Sequence, residues 1–221
     1  MRCVIFDLDG TLADTAGDLI AAANAALGVM GHAPQLVIGA DDATAFRGGR
    51  AMLRLAATRL GLGDDAAMIE AGYPILLDAY GTAIDHHTTL YPGAMEAVFR
   101  LKSNGVAVGI CTNKPEGLAR TLLSRMGILH EFAALIGADT LPVRKPDPAP
   151  FFEAVARSGG ARGRSILIGD TVTDRETARA AGRPCALVTF GPTGRAVADL
   201  APEALLDHYQ DLDDVIDRLI P

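Results

Sequence analysis

Two carboxylates stand close together near the start of this chain. Val4-Ile5-Phe6-Asp7-Leu8-Asp9-Gly10-Thr11 runs from an apolar stretch straight into Asp7 and Asp9. On an extended strand, residues two apart share a face. Two carboxylates held that close repel unless a cation or a proton lies between them. Acids at such a place can also simply cap a turn. A second acidic pair, Asp170 and Asp174, follows the apolar run Ile166-Leu167-Ile168 in Gly169-Asp170-Thr171-Val172-Thr173-Asp174. A beginning helix brings residues four apart together, and Asp174 can equally cap that helix. Three or four carboxylates at two strand ends of one sheet make a hard-cation site. Mg²⁺ suits it, taking oxygen from one or two carboxylates and the rest from water and substrate phosphate.

Two further clusters add complementary groups. Thr112-Asn113-Lys114 follows the apolar run that ends at Cys111. A hydroxyl and an amide there can donate hydrogen bonds to an anion, although Asn is also a common turn residue. Lys145 sits among the prolines of Pro142-Val143-Arg144-Lys145-Pro146-Asp147-Pro148. A lone lysine is normally a solvated surface charge, but stiff prolines on either side would hold this one at a fixed height. Together the parts suit attack by a carboxylate on a phosphoryl group. Mg²⁺ and Lys145 would offset the negative charges, while Thr112 and Asn113 hold phosphoryl oxygens. Carboxylate nucleophiles that form an aspartyl-phosphate are an established chemical solution. Asp9 is spaced to protonate the departing alcohol and later to deprotonate the attacking water.

These residues need a sheet whose strand ends converge. Val4–Phe6 is too short and too apolar for anything but a buried strand. The spacing then predicts a helix capped by Asp14 or Thr15 and stopped at Gly31, one over Ala43–Leu60, and one over Ala66–Tyr80 despite Pro74. Asp64-Asp65 can cap the last of these. From residue 15 to 85 no strand is expected, so this block reads as a helical domain inserted into the chain. Alternation resumes afterwards. Helices are expected over Ala94–Lys102, Glu116–Met126, Pro148–Ser158, Asp174–Ala181 and Leu212–Leu219. Strands are expected over Val106–Cys111, Ala133–Ile136, Ser165–Ile168 and Cys185–Thr189. Strands alternating with helices imply an α/β fold with a Rossmann-like parallel sheet. Ligands in such sheets bind beyond the carboxyl ends of the strands. The domains are thus 1–14 with 86–221, and 15–85.

Composition excludes several classes. The 221 residues are 49% hydrophobic and 21% charged, ordinary for a globular protein with a sizeable core. A formal net charge of -7 argues against general nucleic-acid binding, because the phosphate backbone attracts basic surfaces. No apolar run approaches the length of a membrane span, and charges and Gly interrupt the first apolar run too early for a signal peptide. Cys3, Cys111 and Cys185 lie far apart in apolar surroundings. That pattern suggests buried reduced thiols in a cytoplasmic protein rather than a disulfide frame.

In this order the clusters resemble the four motifs of the haloacid dehalogenase superfamily: Asp7-Leu8-Asp9-Gly10-Thr11, Thr112-Asn113, Lys145-Pro146 and Gly169 to Asp174. The resemblance implies a Rossmann-like core with a helical, C1-type cap inserted after the first motif. By position, Asp7 would be the nucleophile and Asp9 the general acid and base. Asp7, Asp170 and the backbone carbonyl of Asp9 would hold Mg²⁺. Thr112, Asn113 and Lys145, with Gly10, would bind the phosphoryl group, and Asp174 would organise the metal's water and the lysine. Thr112-Asn113-Lys114-Pro115, Tyr91-Pro92-Gly93 and Glu176-Thr177-Ala178-Arg179-Ala180-Ala181-Gly182 resemble the phosphoglycolate phosphatase subgroup. An acid at position 9 sets the chain apart from true dehalogenases. Arg47-Gly48-Gly49-Arg50 resembles the cap loop that reaches the substrate, so Arg50 is either a grip for a second anionic group or a solvated helix-start arginine. His86-His87 reads as a solvated hinge. The expected partner is a small phosphorylated metabolite, acted on by a monomer or homodimer. A sugar phosphomutase and a non-catalytic phospholigand-binding protein are the alternatives.

Overall fold

The computed structural model describes all residues, 1–221, and divides them into two compact units. One comprises Met1–Ala13 with Leu90–Pro221, the other Asp14–Thr89. The larger unit is built on six parallel strands: β1 (Cys3–Phe6), β4 (Ala107–Cys111), β5 (Ala134–Ile136), β6 (Ser165–Gly169), β7 (Cys185–Val188) and β8 (Ala204–Leu206). Two short strands, β2 (Ala13–Asp14) and β3 (Thr89–Leu90), lie where the chain leaves this unit and returns to it. The strand order is β5-β4-β1-β6-β7-β8. From β1 the chain winds outward through β4 and β5, then crosses back and winds the other way through β6, β7 and β8. The order reverses between β1 and β6, which is where an open α/β sheet forms its ligand crevice.

Period-two alternation gives the sheet its inner faces. Cys3 and Ile5 of β1, Ala107 and Cys111 of β4, Leu167 of β6, and Cys185 and Leu187 of β7 join one buried cluster. Phe151, Ala154 and Val155 of helix α7 (Ala149–Arg157) and Ala178 of helix α8 (Val172–Ala180) pack into it, with Ile136 of β5 and Val197. All three cysteines are free and buried, as expected. Burial pushes the Cys3 and Cys111 thiols up to about 12, so they stay protonated and serve as core filler.

The remaining helices of this unit are α5 (Ala94–Ser103), α6 (Glu116–Arg125) and α9 (Leu212–Leu219). Most elements fall within two residues of the expected spans. Helix α8 starts at Val172 rather than Asp174, because Thr171 and Asp174 form a reciprocal capping box that pulls in the first turn. Strand β8 has no counterpart in the expected elements: three residues at a sheet edge are too few for alternation to register.

The helical unit holds α1 (Ala16–Val29), α2 (Asp42–Ala45), α3 (Gly49–Arg59) and α4 (Ala66–Thr82). The single helix expected over Ala43–Leu60 is therefore two, broken where Gly48 takes φ +94. Side chains with left-handed backbone are strained, so only glycine turns easily there. Pro74 lies inside α4 and does not end it. Leu27, Ala56, Ala57 and Met68 form the buried centre of the unit. Asp41 closes the loop before α2, taking both Arg59 guanidinium nitrogens at 2.6 and 2.7 Å and the Val37 N–H at 2.8 Å. Those Arg59 hydrogen bonds hold its carboxyl below the usual range. No helix of the protein is long and apolar enough to cross a membrane.

One close approach positions the functional end of the sheet. A Cβ on Gly169 would lie 2.3 Å from Cγ of Asp174, so glycine is what lets the first turn of α8 sit against the end of β6. Gly169→Ala is expected to destabilise the protein by about 1–3 kcal/mol in urea unfolding. Gly163→Ala, where a Cβ meets nothing within 4 Å, should stay within about 0.5 kcal/mol of the parent. Equal effects of the two substitutions would contradict this packing.

Candidate active site

Register brings the acids of the first and last clusters together. Phe6 pairs with Ile168 across β1 and β6, and the Asp7 N–H donates to the Ile168 carbonyl at 2.8 Å. Asp7 therefore leaves the end of β1 beside Asp170, which leaves the end of β6. Oxygens of Asp7, Asp170 and Asp174 all lie within 4.8 Å of one another, and all three residues are buried. The chain then turns sharply at Gly10, where φ is +82. Its N–H donates to the Ala13 carbonyl at 2.8 Å. Next along, the Thr11 hydroxyl donates to Asp170 Oδ1 at 3.0 Å. Tyr209, from the far end of the chain, pins this turn by donating its hydroxyl to the Thr11 carbonyl at 2.8 Å.

Lys145 is not a surface charge. Its side chain is 2% exposed and its Nζ lies 2.6 Å from Asp174 Oδ1 and 3.1 Å from Asp7 Oδ1. Burial works against its ammonium, but Asp174 and Asp7 outweigh that and raise its pKa, so it stays charged. Asp174 caps α8 and meets Lys145 as well. While Oδ1 takes the lysine, Oδ2 accepts from the Thr171 hydroxyl at 2.7 Å, the Thr171 N–H at 3.1 Å and the Asp170 N–H at 3.3 Å.

This arrangement separates the three clustered acids. Asp174 already serves four donors and has little capacity left for a cation. Asp7 Oδ1 accepts from the Leu8 N–H at 2.7 Å and forms an ion pair with Lys145 at 3.1 Å. Asp170 Oδ2 is buried with no hydrogen-bond partner. A buried carboxylate oxygen without a donor is costly, and a hard cation is the natural remedy. Burial, the first cause, pushes Asp7 up to about 7 against the pull of Lys145, with Asp174 and Asp9 adding to the rise. Burial likewise raises Asp170 well above the usual carboxylate range, helped by Asp174 and Asp7. Without a cation, then, protons must relieve the crowding. When ionised, Asp7, Asp9, Asp170 and Asp174 outnumber the ammonium groups of Lys145 and Lys114 by two, the charge of one divalent ion. The donor set thus fits Mg²⁺.

The second cluster divides its tasks in a way that spacing alone did not reveal. Thr112 follows β4 and is buried. Its Oγ1 accepts the Lys114 N–H at 3.1 Å, which leaves the hydroxyl proton to point elsewhere. Asn113 uses its amide to donate to the Lys145 carbonyl at 3.0 Å, bracing the segment that carries the lysine. Lys114 is the unexpected member. Its side chain is 4% exposed and its Nζ lies 2.8 Å from Asp9 Oδ1. Nothing in its sequence neighbourhood distinguishes it from a surface lysine except its place beside Thr112 and Asn113. Arg50 belongs to the helical unit, where Glu70 holds it at 2.7 and 2.9 Å and the Tyr73 ring lies 3.7 Å from its guanidinium carbon.

The chain is similar to known proteins along most of its length. Residues 1–182 match the haloacid dehalogenase-like hydrolase family. A phosphoglycolate phosphatase of Mesorhizobium japonicum is 38% identical over 223 residues, covering 98% of this chain and 96% of its own. One from Cereibacter sphaeroides is 38% identical over 228 residues, with both chains covered completely. The crystal structure of a predicted phosphoglycolate phosphatase from Haemophilus somnus superposes with a TM-score of 0.81 at 25% identity, over 97% of each chain. The chain accordingly belongs to the haloacid dehalogenase-like hydrolases, and within them it is a phosphoric monoester hydrolase of the phosphoglycolate phosphatase-like kind.

Proposed function

We propose that this protein is a Mg²⁺-dependent phosphatase that hydrolyses a small phosphomonoester, phosphoglycolate first among them, through a phospho-aspartate, an acyl phosphate on Asp7. The observation that carries this reading is the buried grouping of Asp7, Asp170 and Asp174 around Lys145 at the point where the sheet reverses its strand order. The names borne by the relatives support the choice of substrate.

In this reading an Asp7 carboxylate oxygen attacks phosphorus while the bond to the departing alcohol breaks. Asp9 gives its proton to that alcohol oxygen. Asp9 then takes a proton from water, whose oxygen attacks the same phosphorus, and inorganic phosphate and the Asp7 carboxylate result. Lys145 offsets charge on Asp7 and the phosphoryl oxygens, and the Thr112 hydroxyl donates to one of them. Asn113 acts by holding the backbone of Lys145. Asp7, Asp170 and the Asp9 carbonyl would hold Mg²⁺, which would supply the remaining positive charge, while Asp174 keeps Lys145 in place. Residues 15–85 would act as a cap.

Asp7→Asn should lower kcat for phosphoglycolate by at least about a thousand-fold while leaving the circular dichroism unchanged; substantial retained turnover would remove Asp7 as the nucleophile. The same variant bears on stability. A carboxyl raised to about 7 in the folded protein favours folding below its unfolded pKa, and that contribution is lost as pH rises through about 7. Chelated Asp7→Asn should therefore melt a few degrees above the chelated parent at pH 8, with the gap closing toward pH 4. EDTA should abolish phosphate release and lower the melting temperature, and added Mg²⁺ should restore both. Chelator-resistant activity would exclude the metal's role.

A further inference from the structure

Lys114 has no part in the chemistry set out above, yet the fold holds it deep in the same site. Burying an ammonium is expensive, and lysine is among the residues least often buried. Asp9 meets part of that cost, with Nζ 2.8 Å from Oδ1 and only 4% of the side chain exposed. The backbone around it is fixed as well. The Lys114 N–H donates to Thr112 Oγ1 at 3.1 Å, and its carbonyl accepts the Ala138 N–H at 2.9 Å. Lys145 stands on the other acid of the first motif, Asp7, at 3.1 Å. The site therefore carries two buried lysines with separate addresses: Lys145 beside the acid that would meet phosphorus, Lys114 beside the acid that would meet the leaving oxygen.

That second address has a chemical consequence. A general acid must come within about 2.6–3.2 Å of the oxygen it protonates. A cation at hydrogen-bond distance from that acid lies next to whatever the leaving alcohol carries on its first carbons. In a 2-phosphorylated carboxylic acid, the carboxylate carbon is only two bonds from the bridging oxygen. An ammonium has three N–H donors and can serve two carboxylates at once. A neutral alcohol offers Lys114 at most a hydroxyl acceptor and no charge to pair with.

We propose that Lys114 binds the carboxylate of the substrate's leaving group and so selects phosphorylated 2-hydroxy acids over phosphomonoesters of neutral alcohols. This rests on the phosphatase reading above. Arg50, which the cap-loop resemblance offered as either a grip for an anionic group or a solvated arginine, is engaged by Glu70 and Tyr73 within the helical unit.

The test compares kcat/KM for phosphoglycolate and for p-nitrophenyl phosphate in the Mg²⁺-loaded parent, Lys114→Met and Lys114→Arg. The ratio of the two values within one preparation does not depend on how much of that preparation is folded. Lys114→Met should lower the ratio at least ten-fold, mainly through KM for phosphoglycolate, and Lys114→Arg should recover part of it. An unchanged ratio, with both substrates falling together, would overturn the assignment and leave Lys114 as a support for Asp9. A parent that hydrolyses neither ester would instead defeat the phosphatase reading itself.

Discussion

Charge crowding at the carboxyl ends of β1 and β6 is the constraint on which the rest of this structure depends. Asp7, Asp170 and Asp174 bring buried oxygens within 4.8 Å of one another, an arrangement that water cannot relieve and the protein must. Lys145 bridges Asp7 and Asp174. The capping box and the Asp170 N–H occupy the rest of Asp174, and Thr11 supplies one oxygen of Asp170. What remains is a deficit of positive charge centred on Asp7 and Asp170. Folding does not produce such a deficit for its own sake, since well-packed apolar groups would be more stable there. In the proposed function it is the place kept for a cation and a phosphoryl group.

Distant parts of the chain serve this one place. The sheet register puts Asp7 beside Ile168, so the two acidic strand ends cannot drift apart without breaking β1 from β6. Gly169 lets α8 approach closely enough for Asp174 to turn back toward Lys145. Tyr209 reaches over from beyond β8 to fix the Gly10-Thr11 turn, and Asn113 ties the second cluster to the third through the Lys145 carbonyl. Each contact fixes an angle or a distance at the site and adds only modestly to stability.

Much of this was legible in the amino-acid sequence. The β1 and β6 runs are short, apolar and end in acids, so strand period and strand-end chemistry identified Asp7 and Asp170 together. Lys145 was harder: an isolated lysine among prolines looks solvated, and its role rested on the stiff prolines beside it and on the chemistry of the other clusters. Lys114, Gly169 and Tyr209 were not legible. Their contributions depend on contacts made across 198 residues for Tyr209 and Thr11, or on free space around one backbone atom. Local propensity carries no such information. The split of Ala43–Leu60 into α2 and α3 failed for a different reason, because apolar spacing continues across Gly48 although the backbone does not.

The account is tested most directly by anomalous diffraction from crystals soaked in Mn²⁺, a spectroscopically visible stand-in for Mg²⁺. It predicts a single strong peak bonded to carboxylate oxygens of Asp7 and Asp170, with Asp174 still holding Lys145. A peak bonded to Asp174 in place of Lys145, or no peak between the ends of β1 and β6, would contradict it.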